Sequence, residues 1–316
     1  MSDLKISPKK PLRIGTRGSP LAVAQAEETR NRLMKAHSLP ENAFHIEVIK
    51  TTGDKVQDRA LSEIGGKGLF TKEIEEALQD GRIDIAVHSM KDVPTYRSDG
   101  LALTCYLPRE DVRDAFVSPH YQSIGDLPQG AVVGTSSIRR RAQLLARRPD
   151  LNLVEFRGNV QTRLQKLDDG VAIASFLAMA GIKRLGIAND IPVTPIETDE
   201  MLPAVAQGAI GIEQREDDET TRSLLTEIND ADTQTRLVAE RSFLMALDGS
   251  CQSPIAALAT LGEDGTIKLR GEVISPDGSE VLRHQIIGQQ SEAEMLGIAV
   301  TETLKSRSGK GFFSDV

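Results

Sequence analysis

Two stretches of this chain open in the same way, and that likeness limits what it can fold into. Ile14-Gly15-Thr16 closes a short apolar run and is followed by Ser19 and a helical pattern. Val133-Gly134-Thr135 is followed by Ser136, Ser137 and a second helical pattern. Each reads as a strand running into a helix whose first N–H groups lack partners within the helix. The repeat is only a few residues long, yet it predicts two similar lobes, each aiming a helix N-terminus at a shared cleft.

The first predicted lobe alternates strand and helix. Leu12 to Thr16 reads as a buried strand, and Ser19-Pro20 supplies an N-cap and a favoured first helical residue for a helix to about His37. A strand is predicted over His45 to Thr51, a helix over Thr71 to Gln79 with Gly81 behind it, and a strand over Ile83 to His88. The second lobe repeats the pattern from Asp126-Leu127-Pro128, with strands at Ala131 to Thr135 and Leu151 to Phe156, and helices at Ser137 to Arg148 and Val160 to Leu167. Such alternation predicts α/β lobes, each a parallel sheet covered by helices. After Asn229 the style changes. A helix over Thr233 to Ala246 precedes Asp248-Gly249-Ser250-Cys251, and strands at Ala256 to Leu261, Ile267 to Ile274 and Glu280 to Ile287 are separated by Asp-Gly turns. These predict an antiparallel meander closed by a helix from Ser291 to about Ser306, hence a third, α+β domain; the tail after Ser308 is expected to fray.

Composition narrows the function. A chain of 316 residues has room for several cores, since one rarely exceeds about 250 residues. A net charge of −8 argues against a general nucleic-acid binder, and the absence of Trp argues against base-stacking platforms. No secretory pattern is visible at Met1-Ser2-Asp3, and the longest nearly apolar run, Val171 to Ile182, falls short of the roughly 18 residues of a membrane span. Two cysteines, Cys105 and Cys251, fit a reducing compartment and are too few, with the histidines, for a metal site. The expectation is a cytoplasmic protein with neither nucleic-acid nor membrane partners.

Three segments could carry chemistry. Between Ala131 and Gly170 eight cationic residues face four acidic ones, a local excess of +4, and seven of the eight are Arg. Arginine's planar fork suits carboxylates and phosphates. Arg147 and Arg148 at a helix end fit a solvated face, but Arg139 and Arg140 in a first turn oppose the helix dipole, a penalty that a bound anion would relieve. The second segment is His88-Ser89-Met90-Lys91-Asp92-Val93-Pro94, a strand ending in polar residues, where ligands of open α/β sheets bind. An ionised Asp92 there can stabilise a developing cation or handle protons; the alternative is a turn that caps its own backbone. The third is Cys251, in a loop with no nearby His, either incidental or a covalent attachment point. Cys105 alternates within a strand and reads as inert core. Gly65-Gly66-Lys67-Gly68 lacks the spacing of a phosphate loop, which leaves Lys67 as a possible second anion contact, and Gly15-x-x-Gly18 lacks the third glycine of a dinucleotide fingerprint.

Six ordered blocks together resemble the porphobilinogen deaminase (hydroxymethylbilane synthase) family from about Leu12 to Gly297. They are Arg13 to Ala22, Gly65 to Phe70, His88 to Pro94, Gly134 to Arg140, Arg157 to Arg163 and Gly249 to Pro254. The resemblance implies two periplasmic-binding-protein-like (type II), doubly wound lobes and a small C-terminal α+β domain with a three-stranded antiparallel sheet. Lobe 1 would span 1–107 plus 205–226, lobe 2 108–204, and the third domain 227–316. It implies an enzyme, a transferase that condenses four molecules of porphobilinogen with loss of ammonia and then releases hydroxymethylbilane by hydrolysis. A dipyrromethane cofactor would be bound by a thioether to Cys251, and Asp92 would be the catalytic group. Arg17, Ser19, Lys67, Ser89, Lys91, Thr135, Ser136, Ser137, Arg139, Arg140, Arg157, Gly158 and Arg163 would hold the acetate and propionate arms of cofactor, substrate and growing oligopyrrole. No metal is implied, and the family suggests a monomer.

Two positions depart from the family pattern. Ile173 stands where an Asp is usual, and Ala206 replaces the first Gly of the Ala-Val-Gly-Gln-Gly hinge, where a positive φ would strain alanine. The rival reading is a non-catalytic two-lobed carboxylate-binding protein, which would need neither Cys251 nor Asp92.

Overall fold

The computed structural model describes residues 6–55, 68, 70–96, 98–248, 253–309 and 312–314. Two compact units emerge: Met1–Arg59, Gly65–Glu110 and Ala209–Gln234 form one, while Asp111–Gly208 and Thr235–Val316 belong to the other. In chain order the strands are β1 (Leu12–Arg17), β2 (Phe44–Ile49), β3 (Ile85–Ser89), β4 (Leu101–Tyr106), β5 (Asp114–Val117), β6 (Val132–Gly134) and β7 (Asn152–Val154). They continue with β8 (Ala174–Ala178), β9 (Val193–Pro195), β10 (Ile210–Arg215), β11 (Ile255–Leu261), β12 (Thr266–Ile274) and β13 (Val281–Gln289).

The first unit is built on a sheet of order β2-β1-β3-β10-β4. Successive side chains of a strand face opposite ways, so β3 feeds two cores. Ile85 and Val87 join Leu12, Ile14, Ile210 and Ile212 under Ala26 and Leu33 of the helix Pro20–His37. Ala86 faces the other side, where the helix Lys72–Gln79 buries Ile74, Ala77 and Leu78 against Ile49 and Leu101. Burial on both faces explains why β3 is apolar throughout its first three residues. The first helix begins as its sequence dictates, with the Ser19 hydroxyl accepting from the Ala22 N–H at 3.2 Å and Pro20 at the first helical position.

The second unit repeats the arrangement in the order β7-β6-β8-β5-β9. In each sheet three neighbouring strands are parallel, but β10 runs antiparallel to β3 and β4, and β5 runs antiparallel to β8 and β9. The parallel sheets expected from alternation are therefore mixed. The reason lies in where the chain enters. Ile210 pairs with Ser89 and Asp114 with Ala178, so both strands start at the C-terminal end of a parallel neighbour and can only run back beside it.

The same unit contains the third sheet, an antiparallel meander β11-β12-β13 as predicted, with the helix Ala293–Arg307 and, from Thr235 onward, the helix Ala231–Ala246. At Gly271 of β12 an added Cβ would stand 2.8 Å from Val300 and 2.9 Å from Phe243, one residue from each helix, which shows how tightly they seat. Predicted element ends lie within two residues of those observed. The tail does not fray throughout: Phe312 is buried and meets Phe313 edge to face.

Candidate active site

In the first unit β3 ends at Ser89, and Met90–Asp92 form a single tight turn beyond it. Three contacts fix this turn. Met90 is buried, with its sulfur so close to Gly211 that a Cβ there would lie 2.1 Å away. Its N–H donates to the Ala209 carbonyl at 3.0 Å. The Ser89 hydroxyl meets the amide of Gln25 at 2.8 Å. Behind the turn His88 and Glu213, both buried, are joined at 3.1 Å, so His88 is part of the sheet interior. Asp92 is thus presented at the carboxyl end of a rigid strand with its side chain one-third exposed. Arg17 Nη1 lies 3.8 Å from Asp92 Oδ2, near enough for attraction and too far for a hydrogen bond. The same guanidinium sits 4.2 Å from the centre of the Phe70 ring, which steadies it. Lys91 shares the turn and is half-buried.

In the second unit the predicted hydroxyls first shape the loop between β6 and the helix Ile138–Arg147. Thr135 Oγ1 accepts from the Ser137 N–H at 3.2 Å, Ser136 Oγ accepts from Phe156 N–H at 2.9 Å, and Ser137 Oγ caps the helix by accepting from Arg140 N–H. Arg139 and Arg140 turn inward, both at or below 5% exposure, onto Asp114, which is fully buried at the start of β5. Arg139 Nη1 donates to Asp114 Oδ2 at 2.7 Å, and Arg140 Nη2 to Oδ1 at 2.6 Å. Gln207 adds a third donor at 3.1 Å. Burial alone would raise the Asp114 carboxyl, but the two cations and their hydrogen bonds hold it well below the usual carboxylate range. The anion that offsets two cations in a first turn is therefore supplied, in part, by the protein itself.

One carboxylate does not balance the cluster. Arg157 Nη1 is buried with no hydrogen-bond partner among the described residues. Lost hydration, and then the neighbouring charges of Arg140 and Arg157, pull Arg163 down to about 10, with Glu155 opposing. Arg163 Nε donates to the Gly158 carbonyl at 3.0 Å. Gly158 has φ 121°, and a Cβ there would strike Thr162 at 2.6 Å, so only glycine lets the chain pass from Arg157 into the helix Val160–Asp168. An orphaned buried donor beside crowded guanidiniums is a donor set that an external carboxylate would satisfy. A pyrrole bearing acetate and propionate arms fits that donor set.

Sequence gave no direct pointer to Gln25, Asp114 or Gln207. A signal existed for two of them: Gln25 lies on the buried stripe with Ala22, Ala26 and Thr29, and Asp114 opens the apolar run Asp114-Ala115-Phe116-Val117. Lys67 and Cys251 lie outside the described residues. Cys105 is buried, which pushes its thiol up to about 12, as inert core requires. Ile173 packs half-buried against the second unit's core, so that position contributes apolar contact rather than a polar one. Ala206 does adopt the left-handed conformation, φ 59°, held by its N–H donating to the buried Glu240 carboxylate at 2.7 Å.

Comparison with known proteins places these residues in context. Residues 12–223 match the family described as porphobilinogen deaminase, dipyromethane cofactor binding domain, and residues 234–306 match porphobilinogen deaminase, C-terminal domain. The chain is 62% identical over 306 residues to a porphobilinogen deaminase of Paracoccus denitrificans, covering 97% of each. It is 53% identical to a chloroplastic porphobilinogen deaminase of Pisum sativum, covering 96% of this chain and 83% of that one. A looser likeness, with a TM-score of 0.42 at 14% identity, links 72% of the chain to 93% of a putative methionine-binding lipoprotein of Bacillus subtilis.

Proposed function

The chain belongs to the porphobilinogen deaminase family, and from that premise we propose that Asp92 is its catalytic carboxylate and Cys251 the attachment point of its cofactor. The enzyme is a transferase that condenses four porphobilinogen molecules with loss of ammonia and releases hydroxymethylbilane by hydrolysis, using a dipyrromethane cofactor. The observation that carries the assignment is Asp92 itself, a carboxylate fixed at a strand end yet left part-exposed beside Arg17 at 3.8 Å.

When bound, the dipyrromethane would supply the free pyrrole α-carbon to which the first porphobilinogen is joined, each later unit adding to the terminal ring of the growing chain. As ammonia leaves the aminomethyl arm of porphobilinogen, positive charge spreads into its ring. Asp92 accepts the pyrrole N–H and offsets that charge, and because its turn is pinned by Met90, Ser89 and Gln25 it does so with little reorganisation. The arginines take the opposite task. Arg17 in the first unit, and Arg140, Arg157 and Arg163 in the second, hold the acetate and propionate arms, with Ser19, Lys67, Ser89, Lys91, Thr135, Ser136, Ser137, Arg139 and Gly158 completing or shaping the shell. We assign the chain to the cytoplasm as a monomer that binds neither nucleic acid nor membrane, and divide it into the two lobes and third domain given above. Among the described residues no helix is long and apolar enough to cross a membrane.

Intact mass tests the attachment. Purified protein is expected to be heavier than its sequence by one dipyrromethane, and Cys251→Ser to return it to the sequence mass. Active protein of unmodified mass would refute the assignment of Cys251.

A further inference from the structure

The third sheet grips the helix Ile138–Arg147 at two separate places. At the turn between β12 and β13, Gly278 has φ 77°, and a Cβ there would stand 2.5 Å from the Ala146 nitrogen and 2.8 Å from the Leu145 carbonyl carbon. Those are backbone atoms, which cannot give way, so the turn lies directly on the last turn of the helix. The second place is Glu272, within β12 and only 3% exposed. A buried carboxylate persists only when its oxygens are occupied. Here Oε2 accepts from Nε of Arg283, its register neighbour on β13, and Oε1 accepts from Gln143 Nε2 at 2.7 Å.

Gln143 passes this contact inward. It follows Arg139 by one helical turn, and its Oε1 accepts from Arg139 Nη1 at 2.8 Å. Its Nε2 is held by Glu272 and, at 3.0 Å, by the Leu202 carbonyl, which leaves the amide only one direction in which to point. From Arg139 the chain of hydrogen bonds continues to Asp114 and so to Arg140.

We infer that Glu272 and Gln143 are positioning residues for the guanidinium pair Arg139 and Arg140, so that the domain bearing the cofactor tether also sets the geometry of the arginines that receive the cofactor's carboxylates. The inference rests on the reading of that pair as part of the carboxylate grip. Without the Glu272 acceptor the Gln143 amide loses one of its two restraints, Arg139 loses a fixed acceptor, and Arg140, which shares Asp114 with it, shifts as well.

The test uses the full chain produced without cofactor, incubated with porphobilinogen, and follows the half-time of mass gain. Glu272→Leu is expected to slow loading about tenfold, the effect of losing one hydrogen bond to a charged group, and in the loaded enzyme to raise KM with kcat within about twofold. Glu272→Gln, which still offers an oxygen to Gln143, should stay within about threefold of the parent. Gln143→Met breaks the link from the other side and should match Glu272→Leu even if the latter folds poorly. Loading at the parental rate in both Glu272→Leu and Gln143→Met would overturn the inference, as would equal slowing in Glu272→Gln and Glu272→Leu in step with lowered Tm. Arg140→Gln keeps the two questions apart: normal loading in that variant would refute the grip itself, whereas slow loading there with normal loading in Glu272→Leu would refute only the positioning.

Discussion

Asp92 and Asp114 stand at matching ends of two sheets with the same strand order, and their surroundings could hardly differ more. Asp92 is one-third exposed, with the Arg17 guanidinium at 3.8 Å. Asp114 is fully exhausted as an acceptor, buried and bonded to Arg139, Arg140 and Gln207 between 2.6 and 3.2 Å. A carboxylate left short of donors keeps its charge available to a reacting group. A carboxylate saturated by donors fixes Arg139 and Arg140 around it, whereas Arg163, crowded by Arg140 and Arg157, has Glu155 opposing them. Under the proposed function, one architecture then serves a transient cation in one unit and carboxylates in the other.

The largest expected break in this contrast comes from Asp114. Asp114→Asn leaves two buried guanidiniums undercompensated and should cost about 3–5 kcal/mol of stability, read from urea midpoints. The pH dependence follows in sign. The folded-state pKa of Asp114 lies below its unfolded value, so its contribution is complete above about pH 4 and is lost as pH falls toward the folded value. Asp114→Asn should flatten that acid limb; an unchanged limb would show that the pair does not govern it. Arg157→Leu removes the orphaned donor and should slow loading by porphobilinogen about tenfold or more, roughly a charged hydrogen bond's worth, while raising the urea midpoint slightly because a buried unbonded N–H is gone. A lowered midpoint would mean that Arg157 is structural. The smallest effect belongs to Ala206→Gly, which relieves a left-handed alanine and should raise stability by up to about 1 kcal/mol after the entropy of glycine is counted. A loss of stability there would show that Glu240 and the hinge already relax the strain.

Most elements, and the likeness of the two lobes, could be read from the chain because periodicity and caps are local signals: Ser19 and Ser137 both cap the helices they announce. Strand direction could not be read. Whether β10 or β5 runs with or against its neighbour depends on where a distant segment enters the sheet, and alternation of side chains is the same either way. The site divided along the same line. Arg139 and Arg140 were visible as cations in the wrong turn for the helix dipole, but their partner Asp114 sits 25 residues from Arg139 in sequence and only the fold brings it near. Ala206 is the converse, a single residue whose conformation the family pattern anticipated.

Asp92→Asn gives the most direct test of the account. The holoprotein of this variant should keep its dipyrromethane by intact mass and its Tm within a few degrees, yet turn over porphobilinogen at least about a hundredfold more slowly, because the charge opposing the developing cation is gone while the shape remains. Turnover within a few-fold of the parent, at full cofactor content, would contradict the central role given to that carboxylate.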